Sequence, residues 1–205
     1  MQKTSALALA LALSGVPSAP LSAQQPAAVT PIEVSNFTCR TAQPPGAPSS
    51  QAWWEASVEL NARSAPGTRF TGRVKVALTL GFEKGLSKEV EFYQSSVELV
   101  ALEAGRVSTV RFYLPPEITK RDGLRGAPKY HVVSVTNAGK EMPATAASRA
   151  SAFTGAAMLG NFLAKAAADG AANAGLLVPQ HLTPFWQDAT RPSPTPLRAG
   201  GNSNN

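Results

Sequence analysis

The chain has 205 residues, 43% hydrophobic and 16% charged, with 19 Lys and Arg against 13 Asp and Glu for a net charge of +6. Its one cysteine excludes a disulfide scaffold within the monomer and any multi-cysteine zinc or iron–sulfur site, and two histidines leave little for a histidine-based centre. Seventeen prolines and 16 glycines assign much of the length to turns, linkers and tails.

Residues 1–23 read as a secretory signal peptide. Lys3 supplies the positive start, Ser5 to Val16 is an apolar Ala/Leu stretch, and Leu21-Ser22-Ala23 offers small residues for cleavage. About a dozen apolar residues fall short of the roughly 20 that cross a bilayer, so no transmembrane anchor is expected after cleavage. The expected location is periplasmic or extracellular. In that compartment a basic chain meets acidic polysaccharide, an anionic surface or an acidic protein rather than nucleic acid. No Lys/Arg run exceeds two residues, so the plainer alternative is a solvated basic face.

After a flexible lead-in at 24–30, residues 31–141 alternate with period two. Phe70, Gly72, Val74, Val76, Leu78, Leu80 and Phe82 share one face of a strand, and Trp54, Ala56, Val58 and Leu60 share one face of another. Val110, Phe112 and Leu114 repeat the pattern, and Tyr130 to Thr136 closes it. Between Ile32 and Cys39 the phase slips near Asn36, which predicts a bulge. Glu89 to Tyr93 and Val97 to Leu102 read as two strands with a bend at Gln94-Ser95-Ser96. Seven short strands separated by Pro- and Gly-rich turns predict an all-β, immunoglobulin-like sandwich, with a small barrel as the alternative. Glu117 to Arg121 fits one helical turn. Lys120, Arg121, Arg125 and Lys129 form the densest basic cluster of the chain, a loop that either contacts an acidic surface or is solvated.

Residues 142–175 turn Ala- and Gly-rich. Phe153, Met158, Leu159, Phe162 and Leu163 make a ragged apolar stripe, so this stretch is either a packed helix or a partly helical linker. LLVPQHLTPFW, residues 176–186, is too apolar to lie bare in water. It either folds back over its own sandwich or docks into another protein through Leu176, Leu177, Val178, Leu182, Phe185 and Trp186. Residues 187–205 read as a disordered tail.

No nucleophile–base pair, metal-ligand spacing, Walker loop or dinucleotide fingerprint is present, so neither catalysis nor a cofactor or metal is expected. Glu55 with Glu59, and Glu89 with Glu91, read as the wet faces of strands. Cys39 is either a small buried hydrophobe or the source of an intermolecular disulfide. Trp53 and Trp54 point to opposite faces. An exposed Trp53 near Tyr93 or Tyr113 would make a sugar-stacking platform, the alternative being carbohydrate binding.

VALEAGRVSTVRFYLPPEITKRDGLRG (Val100 to Gly126) and LLVPQHLTPFW, with the WWEASVEL strand, resemble exported immunoglobulin-like β-sandwich proteins of Verrucomicrobia encoded beside type IV pilus assembly components. The similarity covers most of Pro31 to Trp186. It implies a non-catalytic role in protein contact at the cell envelope, with pilus or secretion components as partners, and supplies no catalytic or cofactor residues. Pilins proper keep a long apolar N-terminal helix, whereas this one reads as cleaved, so the resemblance implies an accessory rather than a subunit.

Overall fold

The structure is a computed structural model that describes residues 30–197 apart from 64–66 and 85–88; the expected signal peptide lies outside the described residues. Period-two alternation becomes six long strands: β1 (Ile32–Ala42), β2 (Trp53–Ala62), β3 (Val74–Lys84), β4 (Glu89–Leu99), β5 (Val107–Leu114) and β6 (Tyr130–Asn137). Two short ones follow, β7 (Lys140–Glu141) and β8 (Val178–Pro179). They form two antiparallel sheets, β1-β2-β5-β8 and β4-β3-β6-β7, with no barrel closure. The inward residues of both sheets meet in one core, where Trp54 sets its edge on Phe82 at 5.2 Å and Phe82 meets Tyr93 at 5.8 Å.

With β1, β2, β3, β5, β6 and β7 taken as strands A, B, C, E, F and G, the sheets carry A-B-E and C-F-G, an immunoglobulin-like arrangement. β4 stands at the edge beside strand C. The place next to strand E, which a fourth strand fills in the constant-type arrangement, is taken by β8 from far down the chain.

The bulge expected near Asn36 is present, as the β1–β2 register shifts between Val34 and Asn36. Two expectations for the strands change. Glu89 to Leu99 is one unbroken strand in continuous register with β3, because Ser95 takes an inward position between Tyr93 and Val97 and no bend is needed. Among the described residues the count is therefore six long strands and two short ones rather than seven.

The alanine-rich stretch resolves as a helix. α1 (Pro116–Arg121) is the expected single turn, and α2 (Ala156–Asp169) packs on the outer face of the β4-β3-β6 sheet. Phe162 meets Phe92, Tyr130 and Phe153 at ring distances of 5.1–5.6 Å. Gly81 of β3 lies directly beneath Phe162; a Cβ there would stand 2.7 Å from the Phe162 ring. Leu163 of the expected stripe faces solvent, while Ala166, one turn beyond Phe162, is buried.

Candidate contact surface

Residues 176–197 form a strap that extends the β1-β2-β5 sheet beside β5, lays Phe185 on its outer face and reaches β4 of the other sheet. Leu177 enters the main core and Leu176 packs against it. Val178 and Pro179 pair with Tyr113 and Phe112 as β8. Two short 3-10 turns follow, and Gln180 ties them together by donating to the carbonyls of Phe185 at 3.1 Å and Arg191 at 2.7 Å. Thr183 accepts from the Phe185 N–H at 3.2 Å and so caps the second turn. Phe185 stacks on Tyr113, centroids 4.3 Å apart, and Trp53 meets both rings edge-on.

Beneath the strap lies Glu55, fully buried. Its carboxylate accepts from Arg40 Nε at 2.8 Å, Tyr113 Oη at 2.9 Å, Ser57 Oγ at 3.1 Å and Arg191 Nε at 3.1 Å, with Arg111 Nε 3.9 Å away. Burial pushes the Glu55 carboxyl up, but the bonds from Tyr113, Arg40 and Ser57 and the Arg40 charge outweigh it and hold it below the usual carboxylate range. Arg191 also pairs with Asp188 and lies over the Phe185 ring. The expectation that Glu55 faces water is thus overturned, because a segment more than 120 residues downstream supplies its roof.

The strap also revises the candidate site residues. Leu177 and Phe185 are fully buried in their own chain, so these two hold the strap down rather than meet a partner, while Leu176 and Val178 are half-buried. Leu182, 66% exposed, and Trp186, 37% exposed, remain at the surface, with His181 edge-on to Trp186. Nor is the whole segment 187–205 a loose tail. Arg191 is anchored on Glu55, Arg111 donates to the Pro192 carbonyl at 2.8 Å, and Thr195–Leu197 runs antiparallel to β4. Polar, proline-rich composition hides these anchors because they are one ion pair and backbone hydrogen bonds. Residues 198–205 lie outside the described residues.

The basic loop is largely neutralised from within. Arg121 chelates Asp122 at 2.7 and 2.8 Å and donates to Asn173 Oδ1 at 3.0 Å, and Lys129 pairs with Glu83. Tyr93 Oη donates to Asp122 at 2.5 Å, and Asn173 donates to Glu91 at 2.6 Å. Lys120 and Arg125 are exposed. Arg121 and Lys129 thus act as fasteners between the loop, the 170–173 turn and β3.

Tyr93 and Tyr113 are both fully buried, so the Trp–Tyr platform expected for sugar does not form. Trp53 instead lines a cleft of about 520 Å³ with Gln51, Glu117 and prolines of the 44–48 loop. Cys39 is half-buried against the core, and burial pushes its thiol up to about 12, which suppresses the thiolate that disulfide exchange requires. Among the described residues no three His, Cys, Asp or Glu side chains gather as a metal site, and no helix is long and apolar enough to cross a membrane.

A groove of about 570 Å³ separates β4 from the strap, with Gln94, Val97 and Glu98 on one wall and Leu177, Pro179 and Leu182 on the other. β4 is the edge of its sheet. Its even-numbered residues turn their backbone groups away from β3, as two bonds demonstrate: Val100 donates to the Thr195 carbonyl and the Glu98 carbonyl accepts from Leu197. At the other end, Asn173 Nδ2 caps the Phe92 carbonyl at 3.0 Å. Between these caps, among the described residues, the outward N–H and C=O of Gln94 and Ser96 have no backbone partner.

An immunoglobulin-like sandwich with a strap-built edge and a groove beside it is the class that this geometry defines. A solved structure from Akkermansia muciniphila, a verrucomicrobium, has the same fold: TM-score 0.64 at 16% identity, over 85% of this chain and 96% of that one. No family model and no curated protein matches the chain.

Proposed function

We propose that this chain is a non-catalytic exported protein that makes protein contacts at the cell envelope, accessory to a type IV pilus or secretion apparatus. The observation that carries the reading is the placement of Leu182 and Trp186. Leu182 is a large apolar side chain, 66% exposed, on the wall of the groove beside β4, and Trp186 keeps 37% of its surface in water on a strap that buries Leu177 and Phe185 completely. A side chain that the fold fixes at the surface gains by burial only against a partner, and an aromatic anchor of this kind dominates many interfaces. The envelope setting rests on the signal-like N-terminus, and the pilus setting on the resemblance of Val100 to Gly126 and Leu176 to Trp186.

The test is crosslinking capture from envelope fractions by the wild-type chain and by the double variant Leu182→Ala/Trp186→Ala. Capture of pilus or secretion components by the wild type, lost in a variant that still folds and melts cooperatively, is the expected result. Equal capture by both moves the contact off the strap, and capture of no such component by the wild type overturns the reading. The cleft under Trp53 favours carbohydrate as a second reading. Binding on a glycan array that Trp53→Ala abolishes is its signature, and a silent array removes it.

A further inference from the structure

We propose that the cleft beside Trp53 binds a neutral glycan, with one pyranose ring laid on the indole, and turns away the acidic polysaccharides that the chain's net charge of +6 would otherwise attract. The inference rests on the carbohydrate reading above and names the class of sugar.

Three segments build the cleft: the loop 44–51, the start of α1, and Pro184 of the strap. Its volume of about 520 Å³ lies within the range of small-molecule sites. Five of its residues are prolines, and their fixed φ stiffens the wall before anything binds. Trp53 is held as well, because Phe185 and Tyr113 meet its ring at 6.0 and 6.4 Å and nearly at right angles. Little ordering is left for a ligand to impose.

The lining chemistry selects the ligand. A pyranose has a face of C–H groups and a rim of hydroxyls, and each needs a counterpart. The half-buried indole of Trp53 supplies the apolar surface. Prolines bring no N–H to the wall, so hydrogen bonding rests chiefly on the Gln51 amide, which donates and accepts, and the Glu117 carboxylate, which accepts. Both side chains are exposed, and among the described residues neither has a partner to give up. Glu117 is also the one charged side chain among the described residues of the lining. A uronic, sialic or sulfated sugar would set a second negative charge beside it with no lysine or arginine in that wall to answer. Neutral hydroxyls donate to the carboxylate without that repulsion.

The test is a glycan array bearing neutral and acidic glycans, read with the full chain and with Glu117→Lys, whose exposed position leaves the core intact. The expected result for the wild type is signal on neutral glycans alone. Glu117→Lys is expected to lower that signal at least about fivefold and to gain signal on acidic glycans. A neutral hit is then titrated into the full chain, and the Trp53 indole N–H resonance is expected to move. Wild-type signal on acidic glycans that Trp53→Ala abolishes overturns the inference and leaves the carbohydrate reading standing, whereas a silent array ends both. Neutral glycans that bind Glu117→Lys as well as the wild type, or that leave the Trp53 resonance unmoved, place the sugar outside the cleft and overturn the inference too. A silent array together with a hexa-arginine peptide that moves the Trp53 resonance would give the cleft to a cationic protein segment.

Discussion

Glu55 carries the largest consequence of any single side chain. A buried carboxylate is stable only when paired and hydrogen-bonded, and here Arg40, Arg191, Tyr113 and Ser57 do both. Because the folded chain holds Glu55 below the usual carboxylate range, it takes up its proton at a lower pH than the unfolded chain, where Glu titrates near about 4.3. The stability this group contributes is complete above that pH and is lost as the pH falls through the folded value. Asp122, held down first by its bond from Arg121, and Asp188, held down first by Thr190, act in the same direction. Acid below about pH 4 is expected to loosen the strap, with amide exchange at Leu177 and Phe185 rising as the pH drops. Glu55→Gln is expected to exchange faster there already at pH 7 and to show a flatter acid response; an acid response identical to the wild type would remove Glu55 from the latch. Glu55→Ala, which strands the arginines, is expected to cost about 3–5 kcal/mol, read by denaturant unfolding. None of this was legible in the strand itself. Glu55 and Glu59 alternate with apolar residues as any wet face does, and the cover comes from Phe185 and Arg191, whose own segment reads as loop and tail.

Elements whose own alternation records burial in the core between the sheets were readable, however remote their partners, and those held by single contacts or cover from elsewhere were not. β2, β3, β5 and β6 follow from alternation, and the β1 bulge from a phase slip at Asn36, because each pattern records burial against one shared core. β4 was misread as two strands, since Ser95 is a small polar residue at an inward position where local pattern demands an apolar one. α2 was ambiguous for a different reason. Gly155 and Gly160 weaken helix propensity, and the packing that compensates comes from Phe92, Tyr130 and Gly81 on the sheet. That packing has a measurable signature. Gly81→Ala drives a methyl to within 2.7 Å of the Phe162 ring and is expected to destabilise by about 1–3 kcal/mol. Phe162→Ala opens a cavity and is expected to cost about 3 kcal/mol. In the double variant the new methyl occupies part of that cavity, so the two losses should sum to less than their parts by about 1 kcal/mol or more. Additive losses in denaturant unfolding would mean that the helix sits elsewhere on the sheet.

At the scale of the whole molecule, the sandwich was legible and its completion was not. Two sheets follow from strand periodicity, but the place beside β5 is filled by β8, which carries a proline and only two paired residues and so has no strand signature. The apolar run 176–186 was open between folding back and docking, and the structure divides it: Leu177 and Phe185 go inward, Leu182 and Trp186 stay out. That division makes the strap a structural part of the domain. Ending the chain after Gly175 would leave Glu55 without Arg191, uncover Tyr113, and open the core where Leu177 sits. Replacing Phe185 alone by Ala is expected to cost about 3–5 kcal/mol, and the truncation more. In a chain of this size each kcal/mol lowers the melting temperature by about 2–4 °C, so the truncated protein should melt at least about 10 °C below the full chain. Loss of envelope capture by such a truncation would therefore report unfolding as readily as a lost contact, whereas Leu182→Ala/Trp186→Ala removes no fully buried side chain and should lower the melting temperature far less. A truncated chain that melts with the wild type would show that the strap rests on the sandwich without stabilising it, and would return all of 176–186 to the role of a docking segment.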